Sequence, residues 1–318
     1  MPRGPPAAAA HSAGGPALTL RNAMQLIDWL FAAYNGIATG MAIFLVAAGL
    51  TWIFGILKIL NMAHGHFFMI GVYIAFSIIG RHTESLGQYF LGAIAAGAVV
   101  SLLGYLTDRV ILQRLRHVDY HYVLIGTFAL LLCIEGGVRL LWGGEVHTVD
   151  PPPGLKGAVQ LGQMFIPKFT IFVIAAGVVV FLLLDFVIHR TRAGKLMQAV
   201  ASDPWMSSML GVNVPALLRL SVVASFALAG FAGGLLVPLQ TVDLNVGGSY
   251  LLLSFFAVII GGLGSVRGAF AASLLLGVVQ NVGNVVLPNV PGLAIYIALT
   301  AFLIFWPNGL VPPKGTHA

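Results

Sequence analysis

The sequence predicts an all-α, polytopic integral membrane protein with about eight transmembrane helices, some of them interrupted. Only 8% of the 318 residues are charged and 58% are hydrophobic, whereas a soluble domain carries about 25% charged residues. The hydrophobic residues also gather in runs, several of which approach the roughly 20 residues that cross a bilayer. A soluble enzyme and a disordered chain are therefore excluded. The net charge of +6 is spread over short loops, so no nucleic-acid partner is expected.

Nine apolar runs follow one another along the chain. They cover residues 26–56, 66–80, 90–107, 122–142, 168–189, 216–238, 251–262, 269–287 and 291–306. The first run is long enough for a tilted helix or a helix with a partner segment, and 251–262 is too short to cross alone. We therefore expect eight spans, give or take one.

The ends of the chain and the loop charges complete the predicted organisation. Residues 1–20 are rich in Pro, Gly, Ala and Ser, which predicts a disordered tail before a single transmembrane domain at 21–318. Basic residues concentrate in the loops 108–121 and 190–219, whereas 143–167 carries two acids against one lysine. The positive-inside rule places the first two loops in the cytoplasm and the third outside. We expect no soluble domain at either end.

The first informative segment interrupts a hydrophobic stretch at residues 60–71, LNMAHGHFFMIG. Irregular backbone at membrane depth is tolerated only where protein or a water-filled cavity satisfies it, and transporters place substrates at such breaks. The alternative is an interfacial turn at the end of a span, with His64 and His66 facing water. We predict no metal site, because a third ligand is not evident.

The second segment is the polar cytoplasmic stretch 190–214. Asp203 followed by Pro204 is a helix-start signal and Gly211 is a stop signal, which predicts a short helix at about 204–210. That helix exposes the apolar side chains of Trp205, Met206, Met209 and Leu210. Either the membrane surface or a groove on a soluble partner would have to cover them.

The third segment is the glycine-rich run 261–278, GGLGSVRGAFAASLLLGV. No strand or βαβ unit surrounds it, so nucleotide binding is rejected. The helix that follows carries a small and polar stripe at three- or four-residue spacing: Ser273, Gly277, Asn281 and Asn284. The stripe either lines a pathway or packs against another helix, and packing is favoured.

Two further patterns limit the chemistry. Glu135 and Arg139 are four residues apart, so they share a helix face and can neutralise each other. The phosphate-binding pattern of an ATPase is absent, because Gly194-Lys195 is followed by Leu196 and lacks the first glycine. The chain is therefore predicted not to be an enzyme and to need no cofactor, and any ATP must be hydrolysed by a partner.

All three segments, in order and spacing, resemble the permease subunits of branched-chain amino acid ABC importers. LNMAHGHFFMIGVY (60–73) looks like their N-x-A-H-G-x-x-x-M-x-G-A-Y signature. AGKLMQAVASDPWMSSMLGVNV (193–214) is similar to their cytoplasmic coupling loop, and the run 261–278 is similar to their glycine-rich turn. The resemblance covers residues 25–310.

The resemblance implies a mechanism and partners. A periplasmic binding protein delivers the solute, a second and usually different permease chain shares the pathway, and two cytoplasmic ATPases grip the coupling loops. The chain would be a multi-pass protein of the bacterial inner membrane, with a coupling loop at 190–215. The residues implied to contact the ATPase are Gly194, Lys195, Asp203, Pro204, Trp205, Met209, Leu210 and Gly211. Those assigned to the translocation pathway are Asn61, His64, Gly65, His66, Asn281 and Asn284.

Two departures from the family pattern leave alternatives open. The position after His64-Gly65 is often Glu in the family and is His66 here, and a common Lys appears as Ser254. A permease of the same type for urea or short-chain amides therefore stays an alternative. A stand-alone carrier would show more charged residues in its spans, and a membrane-embedded enzyme would need a cluster of acid, base or metal-binding residues.

Overall fold

A computed structural model of the chain describes residues 15–116, 118–161, 164–306 and 309–311. Nearly all of this backbone is helical, which confirms the predicted fold class. The sequence predicts a disordered tail at residues 1–20. Residues 1–14 of it lie outside the described residues, and the first helix begins at Gly15.

The helices fall into three groups by length and polarity. Within the described residues, six are long and apolar enough to cross a membrane. They are α1 (Gly15–Leu57), α3 (Leu86–Thr107), α5 (Tyr120–Trp142), α6 (Lys168–Arg190), α9 (Val214–Leu236) and α11 (Val266–Val286). Three shorter apolar helices are α2 (His64–Ile79), α10 (Val246–Gly261) and α12 (Leu293–Phe305). A π-helical turn (Asp108–Leu112) and α4 (Gln113–Leu115) extend α3, a 3-10 turn (Val237–Leu239) extends α9, and α7 (Arg192–Ser202) and α8 (Pro204–Met209) follow α6.

A small β-hairpin departs from the all-helical prediction. β1 (Ala158–Leu161) pairs with β2 (Met164–Pro167) in antiparallel register, with Ala158 opposite Pro167. The sequence analysis predicted only a loop here. Two residues separate the strands, which is the commonest spacing of a tight hairpin.

Helix α1 lies at the centre of the bundle and packs against α6, α9, α10 and α11. Its residues 41–48 are almost fully buried. Against α11 the contact is made by small residues: a Cβ on Gly40 would lie 2.7 Å from the carbonyl oxygen of Ser273, and one on Gly277 would lie 2.6 Å from the Cα of Gly40. The small stripe of α11 therefore packs against a helix, as favoured from the sequence.

Two of the short helices begin inside the bundle rather than at its surface. The His64 ring at the start of α2 lies beside Gly49 of α1. Gly49 precedes the end of α1 at Leu57 by eight residues, or about 12 Å. Helix α10 begins with Val246 and Gly247, and Gly247 lies against Gly65. The first turns of α2 and α10 therefore meet within the bundle, as predicted for an interrupted segment.

The loops gather at the two ends of the bundle as the charge pattern predicts. At one end, the Asp150 N–H donates to the carbonyl oxygen of Arg81 at 3.0 Å. At the other end, the Arg219 guanidinium lies 6.0 Å from the centre of the Tyr105 ring. The loops 108–121 and 190–219 thus share one end, opposite to the loop 143–167.

Candidate functional site

The break between α1 and α2 is built around Asn61. Its side-chain oxygen accepts from the Ala63 N–H at 3.0 Å, and its carbonyl oxygen accepts from the His64 N–H at 3.2 Å. The next residue is held by α5, because the Met62 N–H donates to the Thr127 hydroxyl oxygen at 3.3 Å. Asn61 is fully buried. The turn is therefore a fixed structure inside the protein and not an exposed connection.

His64 joins the start of α2 to the middle of α1. Its Nε2 lies 3.3 Å from the carbonyl oxygen of Val46, and because a carbonyl only accepts, Nε2 carries the proton. The ring stacks on Phe226 of α9, with 6.1 Å between ring centroids. His64 is 0% exposed and His66 is 3% exposed. The alternative of an interfacial turn with histidines facing water is therefore wrong.

His66 faces a carboxylate from another helix. Its Nε2 lies 3.7 Å from the Oε2 of Glu135 on α5, whose side chain is 41% exposed. The sequence analysis paired Glu135 with Arg139 on the same helix, and the structure turns this carboxylate toward α2 instead. Since 69 residues separate His66 from Glu135 along the chain, no local pattern in the sequence indicated this contact.

Gly65 serves the contact between α2 and α10. A Cβ at this position would lie 2.6 Å from the Cβ of Leu251 and would collide with the carbonyl oxygen of Gly247. Gly65 therefore allows the two helices to approach and offers no side chain to a solute.

Asn281 and Asn284 lie away from the break. The Asn281 side chain donates to the Thr39 hydroxyl and to the Gly277 carbonyl oxygen, both at 3.0 Å. The Asn284 side-chain oxygen accepts from the Gly292 N–H at 3.1 Å, which fixes the turn before α12. Thr39 precedes Val46 by seven residues, or about 10 Å along α1. The structure does not bring these two residues to the His64 cluster, and their pathway role stays a prediction.

The predicted coupling helix is present to within one residue. The Asp203 side chain accepts from the Met206 N–H at 2.9 Å, Pro204 is the first helical residue, and α8 ends at Met209. Gly211 has a φ of +82°, a left-handed conformation that glycine adopts without strain. The predicted apolar exposure is confirmed, at 66% for Trp205, 50% for Met206, 65% for Met209 and 78% for Leu210.

Gly194 and Lys195 occupy different environments on α7. Gly194 is buried where α7 folds back on α6, and a Cβ there would lie 2.5 Å from the carbonyl oxygen of Ile188. Lys195 is exposed. Gly194 thus positions α7 from inside, whereas the Lys195 side chain faces outward.

A cleft of about 70 Å³ borders the predicted coupling segment. It lies between α7, the end of α1 and the glycine-rich turn, and its lining includes Trp52, Gly194, Met197 and Gly264. Beside it, the Arg267 guanidinium donates to both oxygens of Asp185 at 2.6 and 3.0 Å, which joins α11 to α6. Helix α7 is therefore a direct neighbour of α1 at this cleft, and α1 is also the helix that contacts His64.

The chain matches the sequence model of the family described as branched-chain amino acid transport system / permease component over residues 32–306. This match spans α1 to α12 and includes both the break and the coupling segment. The chain belongs to this permease family. It is a membrane subunit of an ABC transport system and not the ATPase, and it is a multi-pass protein of the inner membrane.

Curated relatives of this permease carry matching descriptions. BraD of Pseudomonas aeruginosa, a high-affinity branched-chain amino acid transport system permease protein, is 30% identical over 90% of this chain and 97% of its own length. LivH of Escherichia coli K12, described in the same words, is 28% identical over 90% and 96%. A probable branched-chain amino acid transport permease protein LivH of Methanocaldococcus jannaschii is 24% identical over 85% and 87%. No solved structure matches the permease with comparable significance.

The contacts that sequence reasoning missed come from helices distant along the chain. Glu135, Thr127 and Phe226 all border the break, and none of them lies in a motif. An acidic residue within a span was the one available signal, because an ionisable residue at membrane depth needs a partner. The sequence indicated that Glu135 needs a partner but suggested Arg139, whereas the structure places His66 beside it.

Proposed function

We propose that this permease is the membrane-spanning subunit of an ATP-driven importer that moves branched-chain or related amino acids. A periplasmic binding protein would deliver the solute, two cytoplasmic ATPase subunits would drive transport, and a second, non-identical permease chain would complete the pathway. The transport system to which BraD and LivH are assigned supports the solute class. The same fold would serve urea or short-chain amides, which is the second candidate for the solute.

One observation supports the proposed contact with the ATPase subunits. The α8 helix presents Trp205, Met209 and Leu210 to the outside at the end of the bundle where the basic loops lie. Burying one such side chain contributes about 1.5–3 kcal/mol, so a docked partner gains several kilocalories per mole from this short helix. The same side chains are not needed to pack α8 against α7 or α9.

The decisive experiment is purification of the tagged chain from its native membrane in gentle detergent, followed by mass spectrometry of its partners. We expect one or two ATPase subunits and a second permease chain. Replacing both Asp203 and Trp205 by Ala should remove the ATPases, because the helix start and its largest apolar side chain are lost, while the chain stays in the membrane. Normal ATPase recovery with the double variant would refute the coupling assignment.

The outcome also separates the alternatives. If the wild-type chain is recovered alone while the ATPases are expressed, it is a stand-alone carrier and α8 is a membrane-surface element. If the complex is recovered, the binding protein expressed with it can be screened for leucine, isoleucine and valine against urea and acetamide. Preference for urea or acetamide would replace the amino-acid proposal by the amide one.

A further inference from the structure

Four buried polar atoms around the α2 break have no hydrogen-bond partner among the described residues. They are Asn61 Nδ2, His64 Nδ1, His66 Nδ1 and Ser254 Oγ. Each belongs to a residue that is at most 3% exposed. More than about 90% of buried polar groups are partnered, and leaving one unpaired costs about 1–3 kcal/mol. Three of these four atoms belong to residues 61–66, so they form a local group at the break.

The orientation of the Asn61 amide is fixed by its other bond. The oxygen must face the Ala63 N–H because only the oxygen accepts. The Nδ2 group is therefore an N–H donor without an acceptor among the described residues, three residues before the start of α2. The N-cap residue of this helix, Ala63, supplies no side-chain cap. The partial positive charge of a 16-residue helix and a free amide donor thus coincide inside the protein.

The histidines offer the opposite chemistry. Because Nε2 of His64 donates to the Val46 carbonyl, the neutral ring leaves Nδ1 as an acceptor. Nε2 of His66 faces the carboxylate of Glu135, which likewise favours the proton on Nε2 and leaves Nδ1 as an acceptor. The two Nδ1 acceptors thus lie on α2, and the Glu135 carboxylate of α5 faces this helix. The Asn61 donor lies just before the start of α2.

Ser254 adds a hydroxyl from α10. Leu251 contacts the position of Gly65, and Ser254 follows three residues later on the same face of α10. The Ser254 hydroxyl therefore lies on the face of α10 that contacts the start of α2. A hydroxyl can donate to an anion without adding a fixed charge to the membrane interior.

We propose that the α2 break is a binding subsite for the carboxylate of an α-amino acid during its passage through this permease. Asn61 Nδ2 and the Ser254 hydroxyl would receive the carboxylate, and His64 Nδ1 would accept from the ammonium group. The inference rests on the proposed import function and names the group of the solute that the pathway recognises. The subsite is enclosed in this structure, so α2 must move away from its neighbours to admit a solute.

The test uses the complete complex in lipid nanodiscs and three probes that differ by one charged group. L-Leucine carries both charges, 4-methylpentanoate lacks the ammonium, and 3-methylbutylamine lacks the carboxylate. Binding is measured by saturation-transfer NMR in the absence of the binding protein. We expect L-leucine and 4-methylpentanoate to bind, and 3-methylbutylamine to bind at least tenfold more weakly.

Variants locate the binding at the break. Asn61→Asp keeps the oxygen that accepts from Ala63 but replaces the donor by a negative charge, so the Kd for both carboxylates should rise at least tenfold. Asn289→Asp makes the same chemical change in the exposed turn before α12 and should leave binding unchanged. If Asn61→Asp does not fold, Asn61→Ser keeps an acceptor oxygen and should still weaken binding.

The outcomes are distinguishable. Failure of the wild-type complex to bind L-leucine, equal binding of the amine and the carboxylate, or unchanged binding by both Asn61 variants would each overturn the subsite. ATPase subunits recovered with the wild-type chain in the same preparation show that the importer has assembled. Their absence would instead refute the proposed function.

Discussion

His64 Nε2 donates to the carbonyl oxygen of Val46 across 3.3 Å, which ties the first residue of α2 to the middle of α1. The same helix α1 reaches the cleft beside α7 with Thr51 and Trp52. A single rigid element therefore contacts both the coupling region and the break. This arrangement gives the end of the molecule that carries α7 a short structural connection to the enclosed polar cluster.

The first prediction concerns His64 itself. Replacing it by Leu keeps most of the side-chain volume but removes the bond to Val46, which we expect to cost about 1 kcal/mol of stability and to change solute uptake. ATPase binding should be unaffected, because His64 lies away from α8. Uptake by reconstituted vesicles and ATPase co-purification check both halves. An unchanged uptake rate and affinity would reduce His64 to a packing residue.

The second prediction compares two helical glycines. A Cβ on Gly49 would lie 2.7 Å from the Ser225 carbonyl oxygen and 3.0 Å from the His64 ring, whereas a Cβ on Gly136 of α5 meets nothing within 4 Å. Gly49→Ala should therefore destabilise the protein by about 1–3 kcal/mol, and Gly136→Ala should be neutral or stabilising. Thermal unfolding of the two purified variants in detergent measures the difference. Equal Tm values would mean that α1 and α2 adjust freely around the break.

The third prediction tests the orientation of the loops. Cys133 is the only cysteine, so Cys133→Ser gives a background for single-cysteine labelling. Ser208→Cys on the coupling helix should react with a membrane-impermeant maleimide only from the cytoplasmic side. Asn289→Cys should react only from the outer side, because both positions are exposed at opposite ends. Labelling of both from one side would overturn the charge-based orientation.

The fourth prediction concerns pH at the outer end. The pKa of the Asp150 carboxylate is lowered by its 2.9 Å hydrogen bond to His82 Nδ1, and also by Lys156. A lowered pKa in the folded state means that this contact stabilises the loop at neutral pH and is lost as pH falls through that lowered pKa. Hydrogen exchange of the Asp150 amide should accelerate there beyond its intrinsic pH dependence. Asp150→Asn should lack this additional acceleration.

Much of the fold was accessible from the sequence because its signals are local. All nine apolar runs became helices, and the Asp203-Pro204 start and the Gly211 stop fixed α8. The β-hairpin at 158–167 was missed because four-residue strands leave a weak pattern. The start of α2 within the bundle depends on α1, α9 and α10, so composition alone could not separate it from an interfacial turn.

The site was less accessible because its contacts are made between distant segments. Glu135 shares a helix face with Arg139 by spacing, yet its carboxylate faces His66 because α5 packs against α2. Asn281 and Asn284 were assigned to the pathway, a role that stays a prediction, and their hydrogen bonds to Thr39 and Gly292 could not be read from spacing. A polar residue in a span signals that a partner exists, and only the fold decides which partner it is.

The last prediction concerns the ion pair between Asp185 and Arg267. These residues join α6 and α11 beside the cleft at α7, with both oxygens engaged. The side chains are 25% and 59% exposed, so solvent screening keeps the coupling energy small. Asp185→Asn and Arg267→Gln should each lower the unfolding free energy, and the double variant should lose less than the sum. Exact additivity in this cycle would show that the pair is not coupled and that α6 and α11 are held together by apolar packing alone.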